Sequence, residues 1–306
     1  MDQISSTDYS FNLKVLIFSI PIYIIFLLSS ILYICLSEKE RAGEILKFEA
    51  IYNNKGDEKI SLFDSYYEEK IEIIEMIIDG KVIDDPSYSI ELDSGIHKAT
   101  ITLNITNHHS LSFLFGYCSA LYSIKFLEGT DTSKIYDFTS FLSSGNLQYA
   151  DVSNLNTSNA RNMTKMFSSY SLTSLDLSNF NTSNVLDMRY MFYYSSSLTS
   201  LNLSNFDVKK VLSMEGMFYY CSNLESLDLS NFETNSVKNL DHMFYCMDKL
   251  EYLDISSFVF KMKSIYYFID LRKEYGILKV KYEFYIDYIA DGKYDKLKNW
   301  KIILVE

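Results

Sequence analysis

The chain of 306 residues is poor in the residues that usually punctuate or staple a fold. It has 2 prolines, 10 glycines, 4 cysteines, 4 histidines and a single tryptophan. So little Pro and Gly argues against a disordered or linker-rich chain. Four cysteines make no disulfide framework, and Cys35, Cys118, Cys221 and Cys246 read as small buried apolar residues. Cys221 and Cys246 fall in adjacent repeats, but their offsets from the preceding Phe differ by one. Basic charge is also lacking. With 28 Lys and Arg against 40 Asp and Glu, the net charge is −12, and no basic patch of the size nucleic-acid binding needs is visible. His97, His108, His109 and His242 show no metal-ligand spacing, and no G-x-S-x-G, Walker or G-x-G-x-x-G motif occurs. The expectation is a non-enzyme without cofactor, metal, nucleic acid or small-molecule substrate.

What is present is apolar and aromatic. Hydrophobic residues make up 48% of the chain, with 26 Tyr and 21 Phe, enough to bury a sizeable core. After an N-terminal tail, 1–14, residues 15–36 read VLIFSIPIYIIFLLSSILYICL without a charge. At about 1.5 Å per residue such a helix spans roughly 33 Å, enough to cross a bilayer core. The reading is a single transmembrane anchor. A cleaved signal peptide and a buried core helix are the alternatives, although a signal core is usually shorter. Lys39, Arg41 and Lys47 outnumber Lys14 across the segment, which taken alone places the large domain in the cytosol. Five N-x-[ST] sequons, at Asn104, Asn156, Asn162, Asn181 and Asn202, point the other way as N-glycosylation sites.

The dominant feature is a repeat. LDLSNF at 175–180, LNLSNF at 201–206, LDLSNF at 227–232 and LDISSF at 253–258 recur at an interval of 26. ADVSNL at 150–155 precedes them, and IKFLEG from Ile124 is a degenerate copy. Between the copies runs a second block: NVLDMRYMFYYSSSL (184–198), KVLSMEGMFYYCSNL (210–224) and SVKNLDHMFYCMDKL (236–250). Alternation in the first block predicts a short parallel strand per repeat, with Phe180, Phe206, Phe232 and Phe258 stacking inside. Val185, Met188, Met191 and Phe192 in the second have the spacing of one or two helical turns facing the core. The predicted fold is therefore an α/β solenoid of leucine-rich-repeat type over 110–268, stabilised by stacking. A β-rich unit over 44–107, with an Asp79-Gly80 hairpin, precedes it, and a cap holding Trp300 over 269–306 closes it.

"SLDLSNF", "NTSNV" and "MFYYCS" together resemble the BspA-like leucine-rich-repeat surface proteins, with both halves of the repeat agreeing in order and spacing over roughly 110–268. That resemblance implies a surface-exposed, non-enzymatic protein concerned with adhesion or binding. The expected function is a single-pass membrane protein at the cell surface whose solenoid binds a protein or glycan ligand. An intracellular or organelle membrane scaffold is the alternative. The candidate binding face is the outward row of the strands: Asp151, Asp176, Asn202, Asp228 and Asp254, beside Ser178, Ser204 and Ser230. Stacked carboxylates repel, so this row is expected to show raised pKa values and to attract a cation or a basic partner, or else to be a solvated polar face.

Overall fold

The computed structural model describes residues 44–64, 71–259, 267–284, 297 and 299–306. The proposed anchor at 15–36, Cys35 and most of the segment 285–298 lie outside the described residues. Residues 44–306 form one compact unit.

Its front is a sheet whose centre is β1 (Ile45–Asn54). Every second side chain of β1 is buried, among them Leu46, Phe48, Ala50 and Tyr52, as alternation in a half-buried strand requires. After the short β2 (Ile60–Ser61), β3 (Glu72–Ile78) turns through Asp79-Gly80 into β4 (Lys81–Val82). Both turn residues have positive φ, 50° and 77°, the geometry that favours Asp-Gly in tight hairpins. β5 (Ser89–Ile90) pairs with β2, and β6 (Gly95–Asn104) runs antiparallel to all ten residues of β1.

The other edge of β1 joins the solenoid. β7 (Leu121–Phe126) pairs antiparallel with β1, and β8 (Tyr149–Asp151) adds in parallel. The front unit thus closes the first coil by hydrogen bonding, and no strand edge is left open there. The parallel ladder reappears as β9 (Ser226–Asp228) and β11 (Tyr252–Asp254), and continues through β13 (Ile277–Lys281) to β14 (Lys301–Val305). On another face, β10 (Phe244–Met247) pairs with β12 (Ile269–Leu271).

The coil is a β-solenoid, which corrects the expected α/β architecture. Single parallel bridges link Ser110, Asp137, Asn162, Asp187, Ser213 and Asn239 in succession, one rung for each of six coils. Among the described residues the one helix is the three-residue α1 (Tyr282–Phe284). The second block forms no helix, because alternate amides reach across to the next coil. Met188 N–H donates to Ser213 O at 3.0 Å, Tyr190 N–H to Glu215 O at 2.8 Å and Phe192 N–H to Met217 O at 3.0 Å. The amides between them close i→i+3 turns, as from Met191 to Met188 O. Turns of this kind repeat apolar residues at i and i+3, as a helix does, so the pattern alone does not separate them.

The backbone enforces this route with a left-handed residue in every coil. Phe113, Ser140, Lys165, Tyr190, Gly216, His242 and Tyr267 all have φ between 48° and 68°. Only one of the seven is glycine. For the others the conformation costs about 1–2 kcal/mol each, which the cross-coil hydrogen bonds offset.

The aromatic spine also differs from expectation. The continuous ring stack is Phe167, Phe192, Phe218 and Phe244, from the second block, with centroids 5.7–6.0 Å apart and planes within 12°. Of the expected series, Phe232 and Phe258 stack at 6.4 Å, while Phe180 lies tilted against Phe167.

Buried hydroxyls hold the coils in register. Thr157 Oγ1 donates to Asn181 O at 3.2 Å and accepts from Asn181 N–H at 2.9 Å. Thr132, Thr182 and Thr234 do the same one coil on. Val208 interrupts the row. A second buried row, Ser144, Ser169, Ser195 and Cys221, bonds to carbonyls of the preceding coil. Cys221 therefore stands in for serine, and burial pushes its thiol and that of Cys118 up. Cys118, Cys221 and Cys246 are all free.

One clamp in the front unit joins a histidine to a carboxylate. His97 Nδ1 sits 2.7 Å from Asp79 Oδ2, and Lys98 N–H donates to Asp79 Oδ1 at 2.9 Å. The Asp79 hydrogen bond raises His97, and the His97 hydrogen bond lowers Asp79. A raised histidine contributes stability that is complete below its unfolded pKa, about 6.5, and is lost as pH rises through the higher folded value. A lowered aspartate loses its contribution as pH falls through its folded value, below about 3.9. Denaturant midpoints of the wild type should therefore fall as pH rises from about 6.5 through the raised folded pKa of His97, and His97→Gln should flatten that slope. An equal slope in both proteins would remove the clamp from the explanation.

Candidate functional site

Two surfaces compete. The first is the strand row singled out from the sequence. The fold does bring Asp151, Asp176, Asn202, Asp228 and Asp254 into register, one per coil. Each uses its Oδ1 to accept the backbone N–H two residues on, from Ser153, Ser178, Ser204, Ser230 and Ser256, at 2.9–3.1 Å. This is the Asx turn, a local substitute for a backbone turn. Asn202 fits the acid row because the acceptor needed is a side-chain oxygen and not a charge.

The electrostatics follow. The Ser178 backbone N–H, seconded by its hydroxyl, holds Asp176 below the usual carboxylate range, which outweighs repulsion from Asp151. Asp151 is lowered by the Ser153 hydroxyl and by Lys125, 3.4 Å away. Burial works to raise Asp254, but Ser256 and Lys279, 3.2 Å away, lower it overall. The expected raised values are corrected at Asp151, Asp176 and Asp254, which are each stabilised locally before a neighbour is felt. Among the described residues no group of three or more His, Cys, Asp or Glu is placed to hold a metal ion. Where the row meets β1 it borders a groove lined by Glu49, Lys98, Lys125 and Tyr149, whose charges pair with one another.

The same turn explains the sequons. Asn156, Asn162 and Asn181 accept from the N–H of Ser158, Thr164 and Ser183 at 3.0–3.1 Å, at two further corners of the coil. The third residue of each sequon supplies the bonded amide, so these asparagines have a structural use independent of any glycan. At Asn104, Oδ1 accepts from Thr106 N–H and Nδ2 donates to Glu72 Oε2 at 2.9 Å.

The second surface went unread in the sequence: a deck of tyrosines on the second block. In each of three coils the phenylalanine of the spine points inward and the next residues point out. Tyr193, Tyr219 and Tyr245 line up at 5.3 and 4.9 Å, and Tyr194 stacks on Tyr220 at 4.6 Å. Rows touch across as well, with Tyr219 and Tyr220 5.0 Å apart. His242 and Tyr267, stacked at 5.5 Å, end the deck. At its other end Lys165 Nζ lies over the rings of Tyr190 and Tyr193, 5.7 and 5.6 Å from their centroids. Coils stacked at the strand spacing of about 4.8 Å force identical side chains into ring contact.

Tyr190, Tyr193, Tyr219 and Tyr220 hold their protons more firmly than a free phenol. Burial, then the Glu215 carboxylate that accepts from its hydroxyl, raise Tyr190, and burial raises Tyr193 and Tyr219. Tyr220 is pushed up to about 12, mainly through its hydrogen bond with Cys246. The deck is thus neutral, with apolar ring faces and hydroxyl donors. The signal available in the sequence was the paired tyrosine after "MF" in successive repeats, which the helical reading left without a face.

A capped β-solenoid with Asx-turn corners, a phenylalanine spine and one aromatic face is the class these features define. Residues 109–202 and again 173–270 match the family described as "Mycoplasma protein of unknown function, DUF285", together more than half of the chain. The chain belongs to that family. No curated protein and no solved structure matches it.

Proposed function

We propose that the chain is a non-catalytic binding protein, tied to a membrane by residues 15–36, whose solenoid offers the tyrosine deck to a protein ligand outside the cell. The observation that carries this reading is the deck itself. Tyrosine gives a large, rigid, amphipathic contact at low entropic cost, and serine and asparagine beside it give adaptable hydrogen bonds, the composition of binding surfaces that engage proteins. The BspA-like resemblance of "SLDLSNF" and "MFYYCS" supports a surface-adhesin role. No described helix is long and apolar enough to cross a membrane, and the proposed anchor lies outside the described residues.

The test uses the full chain expressed in a non-adherent cell. External protease should remove the solenoid from intact cells, and cells carrying it should be retained on immobilised extracellular-matrix proteins. Tyr194→Ala with Tyr219→Ala should reduce retention about tenfold. Full protection from protease with the chain present would favour the second reading, a scaffold facing the cytosol, which the Lys39, Arg41 and Lys47 flank supports.

The acid row makes a separate prediction. Asp176→Asn, Asp228→Asn and Asp254→Asn together keep every Asx acceptor, so the triple variant should fold, with its largest cost, up to about 3 kcal/mol, at the buried Asp254 and its Lys279 pair. Thermal unfolding measures it. A loss above about 3 kcal/mol would mean the charges, and not the oxygens, hold the corners.

A further inference from the structure

The tyrosine deck ends in a step. The position after the spine residue is Tyr193, Tyr219 and Tyr245 in the later coils, but Gly116, Ser143 (after Leu142) and Ser168 in the earlier ones. Where the side chains shorten, a half-open groove of about 700 Å³ runs beside the deck. That is within the size of sites that take small ligands, roughly 300–1,000 Å³.

Its walls are aromatic. Tyr117 is 74% exposed and stacks on Phe113 at 6.0 Å with planes 3° apart, so one ring face is supported and the other is free. Tyr170 is 54% exposed and lies across Gly145, where a Cβ would fall 2.5 Å from its ring. The floor is hydroxyl and amide: Thr139, Ser143, Thr164 and Asn146. Thr164 Oγ1 is shielded and has no hydrogen-bond partner among the described residues. Lys165 alone among the lining residues carries charge, and among the described residues it forms no salt bridge.

We infer that this groove binds a saccharide bearing a carboxylate. An aromatic face, negative at its centre, attracts the C–H face of a pyranose. Thr139, Ser143 and Asn146 spend donors within the protein, on Asp137 Oδ1, Ser168 O and Ser119 O, which leaves oxygen lone pairs to accept from sugar hydroxyls. The unpaired Lys165 supplies the cation for a uronic-type carboxylate in a chain whose net charge is −12. A peptide is the poorer fit, because its carbonyls would meet acceptors on the floor where sugar hydroxyls can donate. The inference goes beyond the deck as a protein-binding face: the groove adjoins the deck at Lys165 and Tyr193, and its other walls, Tyr117 and Tyr170, are its own.

The probes are a hyaluronan hexasaccharide, which carries glucuronate carboxylates, and chitohexaose, which is neutral. Binding of each to the full chain is measured by calorimetry, with thermal unfolding as the folding control. The acidic oligomer should bind the wild type at least tenfold more tightly than the neutral one. Lys165→Asn keeps a residue tolerant of φ 55° and should abolish that difference. Tyr170→Ala should weaken both at least tenfold, and Tyr170→Phe should restore most of the loss. Tyr219→Ala with Tyr245→Ala, on the deck, should leave sugar binding unchanged while cell retention falls, so the two readings fail separately. No binding of either oligomer to the folded wild type overturns the inference, as does equal binding by folded Tyr170→Ala. Displacement of the sugar by an unrelated peptide, with no effect of Lys165→Asn, would overturn it in favour of a peptide groove.

Discussion

Phe192→Ala should cost about 3–5 kcal/mol and divide the unfolding of the solenoid into two steps. Phe192 is fully buried between Phe167 at 6.0 Å and Phe218 at 5.7 Å. Truncation removes the ring and leaves a void that the coils on either side cannot close, because Met188 and Phe192 amides fix their separation. In a stacked repeat, stability is the sum of coil terms and nearest-neighbour interfaces, so a weak interface uncouples its two sides. Urea unfolding followed by Trp300 fluorescence should then precede loss of the far-ultraviolet signal. Coincident transitions at an unchanged midpoint would place the coupling elsewhere.

Trp300→Ala should also cost about 3–5 kcal/mol and, in addition, make the chain aggregate. Trp300 is nearly buried, its ring covers Gly276, and its Nε1–H donates to Lys273 O at 3.1 Å. That contact sits where β13 and β14 close the parallel ladder. Removing it loosens β14 and exposes β13 as a bare edge, and uncapped solenoids associate through such edges. Gly276→Val attacks the same joint from the other side, since a Cβ there would fall 2.7 Å from Glu251 O and 2.6 Å from the Trp300 ring. Light scattering of both variants should show association at concentrations where the wild type is monodisperse. Monodisperse variants with wild-type melting would show that the ladder needs no cap.

The repeat was legible because stacking demands it: apolar Leu, Met and Phe at fixed offsets are what each coil buries. The β-rich front was legible from Asp79-Gly80 between apolar runs, whereas the central strand at 45–54 went unread. The helix was misread because i and i+3 spacing belongs to successive turns as much as to a helix. The left-handed row that decides between them is carried by Phe113, Ser140, Lys165, Tyr190 and His242, so no glycine period announced it. The acid row comes into register as its spacing implied, and each member also closes an Asx turn that the sequence reading did not see. Its charge drew attention, while the structure uses its oxygen, a function Asn202 performs equally well. The tyrosines were counted without being placed, since a side chain acquires a face only when the backbone route is known.

The choice between those two rows is the most direct test of the binding face. Cells displaying the full chain, its Tyr194→Ala/Tyr219→Ala/Tyr245→Ala variant, or its Asp176→Asn/Asp228→Asn/Asp254→Asn variant, at equal surface density, are compared for retention on one immobilised matrix ligand. The expected result is retention lost at least tenfold by the tyrosine variant and kept by the aspartate variant. Retention kept by the tyrosine variant and lost by the aspartate variant would contradict it.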